Sequence, residues 1–319
     1  DGQAVTCDDF AQAIADANSD SDLARLLPQF KRWYSQAGTP RLAARGSYNA
    51  EERSYTLHFE QSCAPTPGQS EKLPFVIPVN VGLVGADGRE LAATQTLVVT
   101  QAAESFTFSN IDAEPVPSIL RGFSAPVILD HDYSDEQLLA LLAHDADPFN
   151  RWEAGQRLAL RAAIAAITAP PAEGAGSALS EAYIGAMRSL LRDPKLDAAF
   201  KELVLTLPSE TYIAEQLDVV DPQRVHTVRE AMRARMAAAL QPEWQQAYEE
   251  NKDTGAYQPD PTSSGRRALA GMALSHLCLA ARESGDTVWP GKTLQRFKDA
   301  GNMTDRFNAL QALVSSGHA

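Results

Sequence analysis

The sequence is poor in cysteine: three residues, Cys7, Cys63 and Cys278, stand far apart among 319 and form no C-x-x-C pair. That excludes a disulfide framework and a cysteine zinc site, and fits a reducing, cytoplasmic setting. Basic residues are also scarce, with 28 Lys and Arg against 41 Asp and Glu, a formal net charge of −13 and a pI near 4.9. Such a chain has no general attraction for phosphate backbones or anionic lipid, so nucleic-acid and membrane-surface functions are disfavoured. No apolar run approaches the roughly eighteen residues of a membrane span. The chain begins Asp1-Gly2-Gln3, with neither an initiator methionine nor the basic and apolar regions of a signal peptide, and reads as an excised segment. Catalytic motifs are missing as well: there is no H-E-x-x-H, no G-x-S-x-G and no G-x-G-x-x-G.

What is present is ordinary globular composition, 44% hydrophobic and 22% charged, at a length that calls for two or three domains. The character of the chain changes between Ser124 and Trp152. Val127, Ile128 and Leu129 make one short strand ending at Asp130. Ser134 and Gln137 then form a capping box for a helix starting at Asp135, and Asp147-Pro148 caps a second helix with Phe149, Trp152, Gln156 and Ala159 on one face. Before this joint lie β runs, and after it helices.

In chain order, Thr6 caps a helix carrying Phe10, Ile14 and Ala17. A second helix is expected to begin at Pro28, with Phe30, Trp33 and Tyr34 on its apolar face, and to end at Gly38. From Thr39 the period becomes two. Tyr55, Leu57 and Phe59 alternate with Thr56, His58 and Glu60; Phe75 to Val84 is a near-continuous apolar strand with Pro78 marking an edge or bulge; Asp87-Gly88 is a turn. Leu97 to Thr100, Ser105 to Phe108 and Ile119 to Phe123 bring the count to about seven strands, the spacing of a β-sandwich. Beyond Tyr133, Asp147-Pro148, Asp193-Pro194, Ser209 and Asp221-Pro222 each open a helical segment, such as Leu196, Phe200, Leu203 and Leu207, or Val225, Val228, Met232 and Met236. These helices form a bundle or irregular superhelix. The segments 169–177 and 254–265 are rich in Pro, Gly and Ser and read as loops.

Candidate chemistry is thin. His58-x-Glu60 with Cys63 has the H-x-E of zinc deaminases but no P-C-x-x-C, and a solvated strand face explains it. His131, Asp132, His144, Asp145 and Asp147 bracket one helix, where caps and loop carboxylates account for them. Pro290-Gly291-Lys292-Thr293 has the tail of a P-loop, but Gly285 falls one residue early with Asp286 in the required position; an inter-helix turn is expected. His226 and His276 lie in helices without a ligand partner at suitable spacing. No residue is assigned a catalytic, cofactor-binding or metal-binding role.

Several stretches resemble the bacterial aminopeptidase N family of zinc exopeptidases: 1–10, and above all Phe30-Lys31-Arg32-Trp33-Tyr34-Ser35-Gln36-Ala37-Gly38-Thr39-Pro40. To these add Ala64 to Pro67, Lys72 to Pro78, Pro115 to Pro117, Phe123 to Val127, Arg151-Trp152-Glu153 and Asn302 to Asp305. The resemblance implies terminal helices of a thermolysin-like catalytic domain over 1–38, an Ig-like β-sandwich over 39–130 and an all-α domain, cut short, over 131–319. The pattern of elements reaches the same boundaries. The family's H-E-x-x-H, its G-A-M-E-N motif and its zinc would all lie upstream of Asp1. This chain alone should therefore be inactive and hold no cofactor, with the helical domain walling the parent's active-site chamber against all but peptide-sized substrates. Its expected partner is the upstream domain, or a second copy docked through bared ends. A helical scaffold binding a protein or peptide partner is the alternative.

Overall fold

The computed structural model describes residues 2, 4–169, 178–252 and 255–318. It divides into two compact units, Asp1–Asn150 and Arg151–Ala319.

The first unit opens with three helices, α1 (Cys7–Ala17), α2 (Asp22–Phe30) and α3 (Arg32–Ser35). Thr6 caps α1 in a capping box completed by Asp9. The second helix begins at Asp22, six residues before Pro28, because the Ser21 side chain accepts from Ala24 N–H and caps it. Pro28 sits in its last turn, and the helix ends two residues on, after which Arg32 starts α3. Ala11, Ala15 and Leu27 form a small core of their own, while Phe10 and Ile14 stay exposed. Trp33 reaches further: its ring packs on Phe75 at 4.7 Å and its indole N–H donates to the Val76 carbonyl at 2.8 Å.

Seven strands follow: β1 (Arg41–Asn49), β2 (Ser54–Ser62), β3 (Ile77–Val84), β4 (Glu90–Val99), β5 (Ala103–Ser109), β6 (Val116–Ile119) and β7 (Ile128–Asp130). They make two facing sheets, ordered β5-β2-β1-β7 and β4-β3-β6, antiparallel except for the β1–β7 pair. The period-two reading of β2 holds, with Tyr55, Leu57 and Phe59 buried in the shared core beside Leu42, Ile77, Val79, Val81 and Val99. Gln61 is buried there without penalty, since its amide bonds both the N–H and the carbonyl of Phe75. β3 starts at Ile77 and is the middle strand of its sheet. Pro78 is tolerated because β6 pairs only with Val81 to Val84, leaving no strand beside the missing N–H. β6 ends at Ile119, short of Phe123: Leu120 takes φ 63° and a 3₁₀ turn over Arg121–Phe123 breaks the strand.

After β7 the Ser134–Gln137 capping box forms as read, starting α4 (Asp135–His144). Asp147 then accepts from Asn150 N–H at 2.9 Å and starts α5 (Pro148–Thr168). α4 belongs to the first unit, where the Tyr133 hydroxyl donates to the Pro117 carbonyl at 2.7 Å.

The second unit continues with α6 (Glu181–Arg192), α7 (Ala198–Leu205), α8 (Glu210–Ala214), α9 (Pro222–Ala239), α10 (Gln241–Asn251), α11 (Pro261–Ser284), α12 (Val288–Asp299) and α13 (Met303–Ser315). Ser209 and Asp221-Pro222 open α8 and α9, and Val225, Val228, Met232 and Met236 are all buried. Asp193-Pro194 does not open a helix. Asp193 ends α6, and α7 starts at the Asp197 cap, so Leu196 lies outside it and Leu203 turns outward while Val204 and Leu205 are buried. α11 is the centre, packed by α7, α9, α10, α12 and α13, and accordingly buries residues on every side. The loop expected over 254–265 holds for 255–260, but α11, capped by Asp260, already takes in 261–265. A Cβ on Gly265 would meet Ala199 Cβ at 2.8 Å, so this glycine marks close helix packing instead of a turn. Gly291 and Lys292 likewise lie inside α12 and not between helices; Lys292 Nζ stands 4.4 Å from the Trp289 ring. Of the segment 169–177 only Ala169 lies among the described residues, and Thr254 lies outside them. Among the described residues no helix is long and apolar enough to cross a membrane.

Candidate functional site

The six histidines were the obvious donors for a metal or a base, and the fold scatters them. His58 projects from the wet face of β2 and bonds Ser105 Oγ at 2.7 Å and Glu60 at 3.3 Å. His131 Nδ1 lies 2.9 Å from the Ala44 carbonyl oxygen, and His318 bonds Ser316. His144, at the end of α4, lies against the Gly88 turn. His226, capping nothing, pairs with Glu210 of α8 at 2.8 Å, a carboxylate sixteen residues away that helical spacing does not reveal. His276 is buried in α11 and stacked on Trp244 at 4.2 Å; burial lowers its pKa from 6.5 to about 4, which keeps the ring neutral. No three His, Cys, Asp or Glu residues come together as a metal site among the described residues, and all three cysteines are free thiols. The donor set present does not fit a zinc ion, which needs three protein ligands at least.

Several polar constellations assemble among the described residues, and two of them, neither singled out as a group from sequence, lie where a site would be sought. In the first unit Arg121 is buried between the β4-β3-β6 sheet and the loop before α5. Its guanidinium lies 3.0 Å from Asp145 Oδ1 and donates to Glu90 at 2.7 Å, and its Nε donates to Ser118 Oγ. Ser118 in turn donates to Asp145 and accepts from Asn150 at 2.7 Å. Asp147 N–H also donates to Asp145, and the Asp147 carboxylate accepts from the Gly122 and Asn150 N–H groups, so of the candidate metal carboxylates Asp145 serves as the ion-pair partner of Arg121 and Asp147 as a cap. Burial raises the Asp145 carboxyl, against the opposing pull of Asp147 N–H, Ser118 and Arg121. The legible trace was a single arginine inside the apolar run Ile119-Leu120-Arg121-Gly122-Phe123. This is a tie, with no free acceptor or nucleophile for chemistry.

Among the described residues of the second unit, three of the grooves bear on function. Two are apolar: one of about 320 Å³ beside Trp152, Leu207 and Tyr212, and one of about 460 Å³ beside Phe297, Met303 and Phe307. The third, about 430 Å³, is lined by Glu202, Arg229, Arg233 and Asn308. It carries charge, and its two serines, Ser275 and Ser315, have no histidine or lysine beside them in the lining to act as a base. What these surfaces can do is bind, exclude and position.

Residues 38–132 match the family model described as domain of unknown function DUF3458, Ig-like fold, and residues 135–319 match DUF3458_C, ARM repeats. The chain is 36% identical over 323 residues to aminopeptidase N of Escherichia coli strain K12, covering 99% of this chain and 36% of that protein. It is 33% identical to aminopeptidase N of Haemophilus influenzae, again over 99% of this chain and 36% of the relative. Among solved structures, Legionella pneumophila aminopeptidase A in complex with aspartic acid superposes with a TM-score of 0.80 at 28% identity, over 98% of this chain and 35% of that one. The chain thus spans about a third of the length of the relatives it matches. It belongs to the DUF3458 family, whose Ig-like and ARM-repeat domains are the C-terminal parts of aminopeptidase N.

Proposed function

We propose that this chain is the non-catalytic C-terminal part of a zinc aminopeptidase that removes single residues from peptide N-termini, and that its helical unit walls the catalytic chamber. The observation that carries this reading is the pairing of near-complete likeness along the chain, 99% of it, with about a third of the relatives' length and no donor set of its own. In this reading 1–38 are closing helices of the catalytic domain, 39–130 a spacer sandwich and 131–319 the helical domain, of which the unit from Arg151 on is the wall, while zinc and the catalytic groups belong to the upstream domain. Phe10, 62% exposed, and Ile14, 39% exposed, support it: a helix whose largest apolar side chains face outward has an unmet partner. Free thiols support a cytoplasmic setting. A wall acts by exclusion and contributes no proton transfer. The test is a substrate ladder on the whole gene product. Dipeptides to decapeptides should be cut at similar kcat/KM, and a folded protein with the same N-terminal residue at least about a hundredfold more slowly, since exclusion removes the bound geometry that catalysis needs. Equal rates for the folded protein would refute the wall. The ARM-repeat likeness favours a second reading, a scaffold presenting a concave face to a protein partner; such a chain would leave the ladder flat.

A further inference from the structure

The charged groove of the helical unit has a floor made of the small residues Ala268, Gly271 and Ser275 on α11. A Cβ on Gly271 would fall 2.5 Å from Asn308 Nδ2, so the glycine lets α13 close one side. Glu202 of α7 and Arg229 and Arg233 of α9 supply charge to the same cavity of about 430 Å³, a volume within the range of small-molecule sites.

The two signs do not cancel in place. Arg229 and Arg233 share one carboxylate, Glu230, at 3.6 and 3.2 Å, which leaves this pair of arginines with one positive charge in excess. Their remaining bonds, to the Pro208 carbonyl and to Ser315 Oγ, are neutral. Glu202 has no ion-pair partner among the described residues, and burial raises its carboxyl. A ligand of a single charge would satisfy one of these groups and be opposed by the other. A molecule carrying both an ammonium and a carboxylate satisfies both.

We infer that this groove binds a small zwitterion of the amino acid or dipeptide class, with its ammonium at Glu202 and its carboxylate at Arg229 and Arg233. A dipeptide reaches about 7 Å end to end, and the Asn308 and Gln311 side chains also line the groove. The inference stands on the charges of the groove alone, so the wall reading survives its failure.

Isothermal titration of the 319-residue chain with L-alanine, L-alanyl-L-alanine and the N-acetylated and C-amidated dipeptides tests it. At least one zwitterion should bind saturably, with Kd on the order of 1 mM, and both blocked forms at least about tenfold more weakly, the loss of one charge-assisted hydrogen bond. Glu202→Gln should weaken the zwitterion by a similar factor. Ser275→Leu, which fills the floor and removes no charge, should abolish binding, with a thermal melt showing that each variant is folded. The inference is overturned by no saturable binding of either zwitterion up to about 20 mM, a range set by that weak Kd. Blocked forms binding as well as free ones overturn it too, as does a folded Ser275→Leu chain that binds unchanged. If neither variant folds, the blocked series on the unmodified chain decides.

Discussion

The sandwich unit and the helical unit both bury charge, and they do so differently. In the first, Arg121 is met on several sides, by Asp145, Glu90, Ser118 and Thr94, from segments spread between β4 and the loop before α5. In the second, Glu243 is 4% exposed in the first turn of α10 and meets two arginines of one helix, Arg188 at 3.5 Å and Arg192, the latter largely in solvent. Arg121 therefore ties distant segments of chain into one unit, and removing it strands a carboxylate. Glu243 joins only α6 to α10 and keeps access to water through Arg192. The contrast teaches that α4 and the start of α5 belong with the sandwich because a charge network holds them there, although they are helical.

The largest expected effect breaks that contrast. Arg121→Met should destabilise the first unit by about 3–5 kcal/mol, the cost of leaving a buried carboxylate without its counter-charge. Glu243→Gln should cost the second unit less, about 1–2 kcal/mol, because its partner arginines retain water. Urea unfolding followed by the fluorescence of Trp33 for the first unit and Trp244 for the second measures both. Equal losses would show that the two sites are alike.

His276 sharpens the comparison through pH. Its folded pKa, about 4, lies below the ordinary 6.5, so between these values the unfolded chain binds a proton that the folded one does not. Stability of the helical unit is then fully present above pH 6.5 and is lost as pH falls toward 4, by roughly 3 kcal/mol at most. Arg233 bears on this ring from α9 and opposes its protonation, and Trp244 covers its face. His276→Gln should flatten the profile of the second unit and leave that of the first unchanged. An unaltered profile would show that the ring is not responsible.

The smallest effect concerns the joint. Ser134→Ala removes the cap of α4 and should cost about 1 kcal/mol, read as a lower urea midpoint in the first unit's transition. A shift confined to the second unit would contradict the assignment of α4.

These positions also show what could be read in the chain. Caps at Thr6, Ser134, Asp147, Ser209 and Asp221 were legible because a cap is a local bond between residues three apart. The alternation of β2 was legible for the same kind of reason. Asp193-Pro194 misled since the same dipeptide can close one helix as readily as open another, and only packing decides. Gly265 and Gly291 read as breakers, yet inside long helices they cost little, and at Gly265 the missing Cβ is filled by Ala199. The Arg121 network and the charged groove were illegible because their members lie far apart in sequence: Glu90 with Asp145, Glu202 with Arg233.

We propose that the chain contributes walls and no chemistry. Zinc content and hydrolysis of an aminoacyl chromogenic substrate, measured together on the purified 319-residue chain, test it most directly. The account expects zinc well below one per chain and no turnover above buffer, since no three donors meet among the described residues. One tightly held zinc per chain, lost on chelation together with a measurable activity, would contradict it.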